Sequence, residues 1–94
     1  MTPLPAIEHD RAGQCLHLQL DGHRAELTYQ VHGGRMVIEH TRVPEAIGGR
    51  GLAGHLVQAA FDRAREEGWK VVPACSYAQV WVERHRAYAD LLAD

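Results

Sequence analysis

The feature that most constrains this chain is a change of period near residue 43. Before it, apolar residues recur at every second position. After it, they recur every third or fourth. Between Gln14 and Leu20, Leu16, Leu18 and Leu20 share one face, while Cys15, His17 and Gln19 share the other. Asp21-Gly22 follows, a pair suited to the positive φ of a two-residue hairpin turn. Arg24 to Val31 alternates again, with Ala25, Leu27, Tyr29 and Val31 on one face. Gly33-Gly34 marks the next hairpin, and Arg35 to Thr41 the next strand, with Met36, Ile38 and His40 on one face. Ala12-Gly13 marks an earlier turn, so Leu4 to Asp10 reads as an edge strand. The first forty-odd residues are thus an antiparallel meander of four strands, with register set by its short turns.

After Val43-Pro44 and a glycine-rich loop, Leu52, Leu56, Val57, Ala60 and Ala64 trace a helical stripe. This predicts a helix over about Leu52 to Glu67, stopped by Gly68. Trp69 to Ala74 reads as a strand in which Pro73 removes a backbone donor. Ser76 with Gln79 forms a capping-box pattern, and Tyr77, Val80, Trp81 and Arg84 mark one face of a helix to about His85. Arg86 to Asp94 reads as a terminal turn or short helix. The order β-β-β-β-α-β-α makes one α/β (α+β) domain over residues 1–94, with a right-handed crossover joining two parallel strands.

Composition narrows the function. Ten Lys and Arg against twelve Asp and Glu give a formal charge of −2, with no basic excess to offset a phosphate backbone, so nucleic acid is not an expected partner. Apolar stretches fall short of the ~20 residues that cross a bilayer, and Met1-Thr2-Pro3-Leu4-Pro5 lacks the pattern of a signal peptide. The expected setting is cytoplasmic, with no membrane partner. Two cysteines, Cys15 and Cys75, do not make a disulfide framework and read as reduced thiols. Seven histidines fall into no metal-ligand spacing, so no metal is expected.

The chemically informative segment runs from Val43 to Gly54, between a strand and a helix. Gly48, Gly49 and Gly51 let a ligand approach the backbone, the helix start carries partial positive charge, and Arg50 adds a formal charge. Such a loop can cradle a pyrophosphate; a flexible turn with a glycine cap would look the same. It is neither a Walker loop, lacking Lys-Ser or Lys-Thr, nor a dinucleotide fingerprint, since His55 stands where the third glycine belongs.

In context the segment resembles the acetyl-coenzyme A site of GCN5-related N-acetyltransferases (GNAT), whose signature is Gln/Arg-x-x-Gly-x-Gly/Ala. Gly48-Gly49-Arg50-Gly51-Leu52-Ala53 occupies it, with Gly51 and Ala53 matching and Gly48 departing. Glu39-His40-Thr41-Arg42-Val43-Pro44, Pro73-Ala74-Cys75-Ser76-Tyr77, Arg84-His85 and Tyr88-Ala89-Asp90-Leu91-Leu92 resemble the small, minimal branch of that superfamily over roughly residues 7 to 92. Trp81 stands where tyrosine is common, and Arg86 where proline is usual.

The resemblance implies a GNAT-like fold whose fourth strand and following parallel strand splay apart. Thr41, Arg42 and Val43 would then line pantetheine. Gly48, Gly49, Arg50, Gly51, Leu52, Ala53 and Gly54 would hold pyrophosphate, with the thioester directed at His40 and Cys75. It implies an acetyl-CoA-dependent N-acetyltransferase acting on an amine of a protein, peptide or small molecule. The exposed strand edges would admit a homodimer. His40, set beside Met36 and Ile38, would be kept neutral as a base or be a satisfied core histidine; Glu39 on the other face is the rival base. Cys75, just before a helix start, could take the acyl group as a nucleophile or be a small buried hydrophobe, while Cys15 reads as structural. Arg84 and His85 suit the negative end of their helix, where a phosphate of coenzyme A could also reach. The other readings are a CoA or acyl-CoA binding module without turnover, and a thiol-dependent redox or acyl-carrier protein resting on Cys75.

Overall fold

The computed structural model describes residues 4–93; residues 1–3 and Asp94 lie outside the described residues, and with them part of the leader and terminal-turn readings. Five strands form one sheet in chain order: β1 (Glu8–Asp10), β2 (Cys15–Leu20), β3 (His23–His32), β4 (Arg35–Arg42) and β5 (Lys70–Pro73). β1 to β4 are antiparallel, and β5 joins β4 in parallel. The two hairpins turn where the sequence places them. Asp21 and Gly22 have φ of 52° and 77°, and Gly33 and Gly34 have 56° and 78°, the paired positive values of a tight hairpin whose twist matches its strands. The edge strand is shorter than Leu4 to Asp10, because only Glu8, His9 and Asp10 pair with β2.

One face of the sheet is apolar. Leu16, Leu18, Ala25, Leu27, Tyr29, Met36 and Ile38 are buried there against α1 (Leu52–Glu67). The stripe Leu52, Leu56, Val57, Ala60 and Ala64 meets this face, and Phe61, between two of its members, joins it fully buried. α1 ends at Gly68, whose left-handed φ of 75° lets its N–H return to Ala64 and Arg65 carbonyls. The second helix, α2 (Ser76–Arg84), leans on α1 and on β4 and β5, so both helices share one core and one side of the sheet. A 3-10 stretch, Arg86–Leu91, follows; there Arg65 holds Asp90 through both guanidinium nitrogens at 3.1 Å.

Two local expectations give way. Ser76 is not a cap: Cys75 occupies that position, with no side-chain hydrogen bond to the helix start. α2 also packs through a different face. Ala78, Trp81 and Val82 are buried, while Tyr77 and Val80 face outward, because the core reaches α2 from the side of Phe61.

Phe61 joins the two helices: its ring lies 5.2 Å from Trp81 and 5.9 Å from Tyr88. Phe61→Ala should cost ~3–5 kcal/mol, a large share of a small domain's stability. Urea denaturation checks this; a loss under about 1 kcal/mol would mean that the contact is not central.

Candidate functional site

The site grows from a defect in β4. Up to Ile38, β3 and β4 pair residue for residue, with Tyr29 opposite Ile38; the next pair is Thr28 with His40, so Glu39 is an extra residue, a β-bulge. Side chains beyond it change faces. Thr41, opposite the buried Leu27, turns to the core side, and His40, opposite Thr28, turns to the polar side and is exposed. The expected apolar setting for His40 beside Met36 and Ile38 therefore does not exist. Strict alternation cannot anticipate the inserted residue. Glu39 lies where sequence places it, on the polar face, accepting a 3.0 Å bond from Gln30 Nε2.

β5 stops pairing at the same level. The last register pair is Ile38 with Pro73, followed by a single 3.1 Å bond from Cys75 N–H to the Ile38 carbonyl. The Ala74 N–H turns back to the Val72 carbonyl at 3.0 Å, leading the chain away from β4. Glu39 to Arg42 continue against β3 alone. A gap opens between the two parallel strands, and β4 presents a backbone edge along it.

Cys75 stands at the mouth of this gap, half-buried, with Sγ 3.7 Å from Thr41 Oγ1. Burial is the largest influence on its thiol and pushes its pKa up. That is outweighed by the Ala78 and Tyr77 N–H dipoles, which face the sulfur from the start of α2, and by the Thr41 hydroxyl and backbone, all of which favour the thiolate, so the thiol lies below its ordinary value. Cys15 is the opposite case. Burial pushes its thiol up, although the Arg24 guanidinium, a partner not evident in sequence, stands 3.8 Å from its sulfur.

The loop after β4 is pinned by Ile47, fully buried at the end of a 3-10 turn, Glu45–Ile47. Gly49 and Gly51 take φ of 73° and 75°, a conformation that side chains disfavour. Gly51 caps α1 without a side chain. The first backbone bond inside α1 runs from the His55 N–H to the Gly51 carbonyl, so the N–H groups of Leu52, Ala53 and Gly54 have no helical partner. No acidic residue stands in this turn to oppose an anion. A cavity of about 250 Å³ opens here, lined by Val43, Gly48, Gly49, Gly51, Ala53 and Tyr77. Gly48, in the departing signature position, has an ordinary φ of −70°. Arg50 is not aimed into the cavity; its Nη1 pairs with Asp21 at 2.8 Å across the β2–β3 turn. Both partners are exposed, so water and salt screen the pair. Among the described residues no three His, Cys, Asp or Glu side chains gather to hold a metal ion.

Residues 15–91 match the family model described as GCN5-related N-acetyl-transferase. The chain is 42% identical to protein NATD1 of Mus musculus over 82 residues, covering 84% of this chain and 74% of that protein. It is 40% identical to protein NATD1 of Xenopus tropicalis over 82 residues, 84% of this chain and 75% of that one. The fold superposes on the solution structure of a GCN5-like protein from Staphylococcus aureus with a TM-score of 0.73 and 28% identity, over 94% of this chain and 87% of the other. The chain belongs to the GCN5-related N-acetyltransferase family and carries its acetyltransferase domain.

The two thiols should separate by reactivity. The thiolate is the reactive form, so iodoacetamide should label Cys75 before Cys15, its rate rising through a midpoint below that of a free thiol. Thr41→Val should shift that midpoint upward. Equal labelling of both cysteines, or an unshifted midpoint, would contradict the assignment.

Proposed function

We propose that this domain is an acyl-CoA-dependent N-acetyltransferase in which acetyl-CoA and the accepting amine meet at the gap between β4 and β5. The observation that carries the reading is the union of that gap with an uncapped, glycine-lined helix start at its side. The donor fits the residues present. Three unpartnered N–H groups and the positive end of α1 suit a pyrophosphate, and Gly49 and Gly51 let it approach the backbone. The free backbone edge at the end of β4, Thr41 and Arg42, with Val43 just beyond it, suits the amides of pantetheine. Acetyl-CoA supplies an activated acyl group; this chain positions it and manages protons.

Cys75, its thiol lowered in pKa beside Thr41, attacks the thioester carbonyl from the core side of the gap, CoA leaves as its thiolate, and the acetyl group rests on Sγ until the amine displaces it and frees the Cys75 thiolate. His40 and Glu39, on the polar side, receive the proton that the amine must lose. The amine belongs to a protein, peptide or small molecule arriving at the polar face of the sheet, and a homodimer through the exposed strand edges is the proposed assembly. No helix of the described residues is long and apolar enough to cross a membrane. We place the reaction in the cytoplasm, where Cys75 stays reduced.

Thermal unfolding with equal concentrations of acetyl-CoA, CoA, ATP and NAD tests the donor. A ligand at 100 times its dissociation constant stabilises by about 2.7 kcal/mol. Acetyl-CoA and CoA should raise the midpoint, while ATP and NAD should not; no rise with any CoA species would refute the reading. Cys75→Ala should then abolish the +acetyl mass on the protein and lower turnover at least tenfold, and His40→Ala should lower it less. Binding with no turnover on a broad amine panel would instead indicate a CoA-binding module.

A further inference from the structure

β1 is a short strap on the edge of the sheet. Its three residues, Glu8, His9 and Asp10, pair with His17, Leu16 and Cys15 of β2. Further along that edge, Leu18, Gln19 and Leu20 have no strand partner among the described residues, and a cavity of about 230 Å³ opens beside Leu18 and Gln19. Three side-chain contacts hold the strap besides its ladder. Ahead of it, the Pro5 carbonyl accepts a 2.8 Å bond from His55 Nε2 on α1. Behind it, Arg11 gives a 2.6 Å bond to Glu67 at the end of α1. In its middle, His9 turns to the core side, where Nε2 meets the buried Tyr29 hydroxyl.

The His9 contact suits one protonation state. Its other ring nitrogen, Nδ1, is buried and has no hydrogen-bond partner among the described residues. In a neutral imidazole one nitrogen carries no hydrogen. A protonated ring carries two N–H donors, and here only one of them would face an oxygen, leaving a buried charged donor unpaired. The surroundings add to that cost. Burial, then Arg63 on α1 and Arg11, hold the ring below the ordinary histidine value against the weaker pull of Glu67 and Asp10. Arg63 in turn pairs with Glu66 at 3.3 Å. On the polar face Glu8 lies 3.7 Å from His17. A proton on His17 would tighten the strap, but Glu8 is exposed and water screens the pair.

We propose that β1 is an acid-released strap: with His9 neutral it closes the edge of β2, and a proton on His9 frees it. In the released strap His9 meets water and takes up a proton near pH 6.5. In the closed strap it does so only at lower pH. Above about pH 6.5 both forms are neutral and the strap is fully held. Below that the released form gains, until the closed form protonates too. The Arg11–Glu67 pair survives through this window, because the bond from Arg11 holds the Glu67 carboxyl below its ordinary value. Release leaves the whole of β2, Cys15–Leu20, as an open edge, a template for pairing with another strand. The inference does not depend on the acyl-CoA reading.

Amide exchange followed by NMR on the full chain, at about pH 7.5 and about pH 5.5 and corrected for intrinsic rates, tests this. Amides bonded between β1 and β2 should be less protected than those between β3 and β4 at both values. Their protection should fall severalfold, up to about tenfold, at the lower pH. His9→Gln and His9→Phe should each show the same β1–β2 protection at both values, whatever its level, while His17→Gln should keep the fall. Wild-type protection that does not change with pH, or a fall that survives either His9 variant or disappears in His17→Gln, would overturn the proposal. So would β1–β2 amides that exchange no faster than those of β3 and β4, since opening would then be global unfolding.

Discussion

The extra residue Glu39 in β4 is the constraint on which the rest of the site depends. A bulge bends its strand and breaks the ladder locally. Here it falls one position beyond the last pair between β4 and β5. The two strands therefore part where β4 has just turned its side chains over. Thr41 is thrown to the core side, within reach of the Cys75 sulfur, while His40 faces the polar side. Without the inserted residue, regular alternation would point Thr41 away from Cys75 and His40 into the core.

The second element is the start of α1. Most helices cap their first turn with a side chain; this one begins on a left-handed glycine with no side-chain cap. The unpartnered N–H groups carry a cost that a bound anion would offset. Ile47 and Leu52, both buried, hold the loop's two ends to the core, so its glycines are free in conformation while its position is fixed. Cys75 uses the same physics at the start of α2, where N–H groups of Tyr77 and Ala78 favour its thiolate.

Much of the architecture was legible in the sequence, for local reasons. Asp21-Gly22 and Gly33-Gly34 have few conformations open to them in a hairpin, and a stripe from Leu52 to Ala64 closed by Gly68 defines a helix from end to end. The glycine-rich turn into α1 was legible because its conformation is a property of the backbone at Gly49 and Gly51. What escaped depends on contacts distant in sequence. The bulge is a property of the β3–β4 pairing, not of Glu39 itself. Arg50 turns to Asp21, twenty-nine positions earlier. Ser76 and Gln79 match a capping pattern, yet Cys75 takes the cap position because its N–H is tied to Ile38. Tyr77 and Val80 share a helical spacing with Trp81, but Phe61 decides which part of that helix faces inward.

The central claim is that the start of α1 and the free edge of β4 hold one ligand together. Backbone amide resonances, followed by NMR while acetyl-CoA is added to the uniformly labelled chain, report on both at once. The account predicts the largest shifts at Gly49 to Gly54 and at Glu39 to Val43, saturating along one binding curve. Shifts concentrated on β1 and β2, or two groups that saturate at different concentrations, would contradict it.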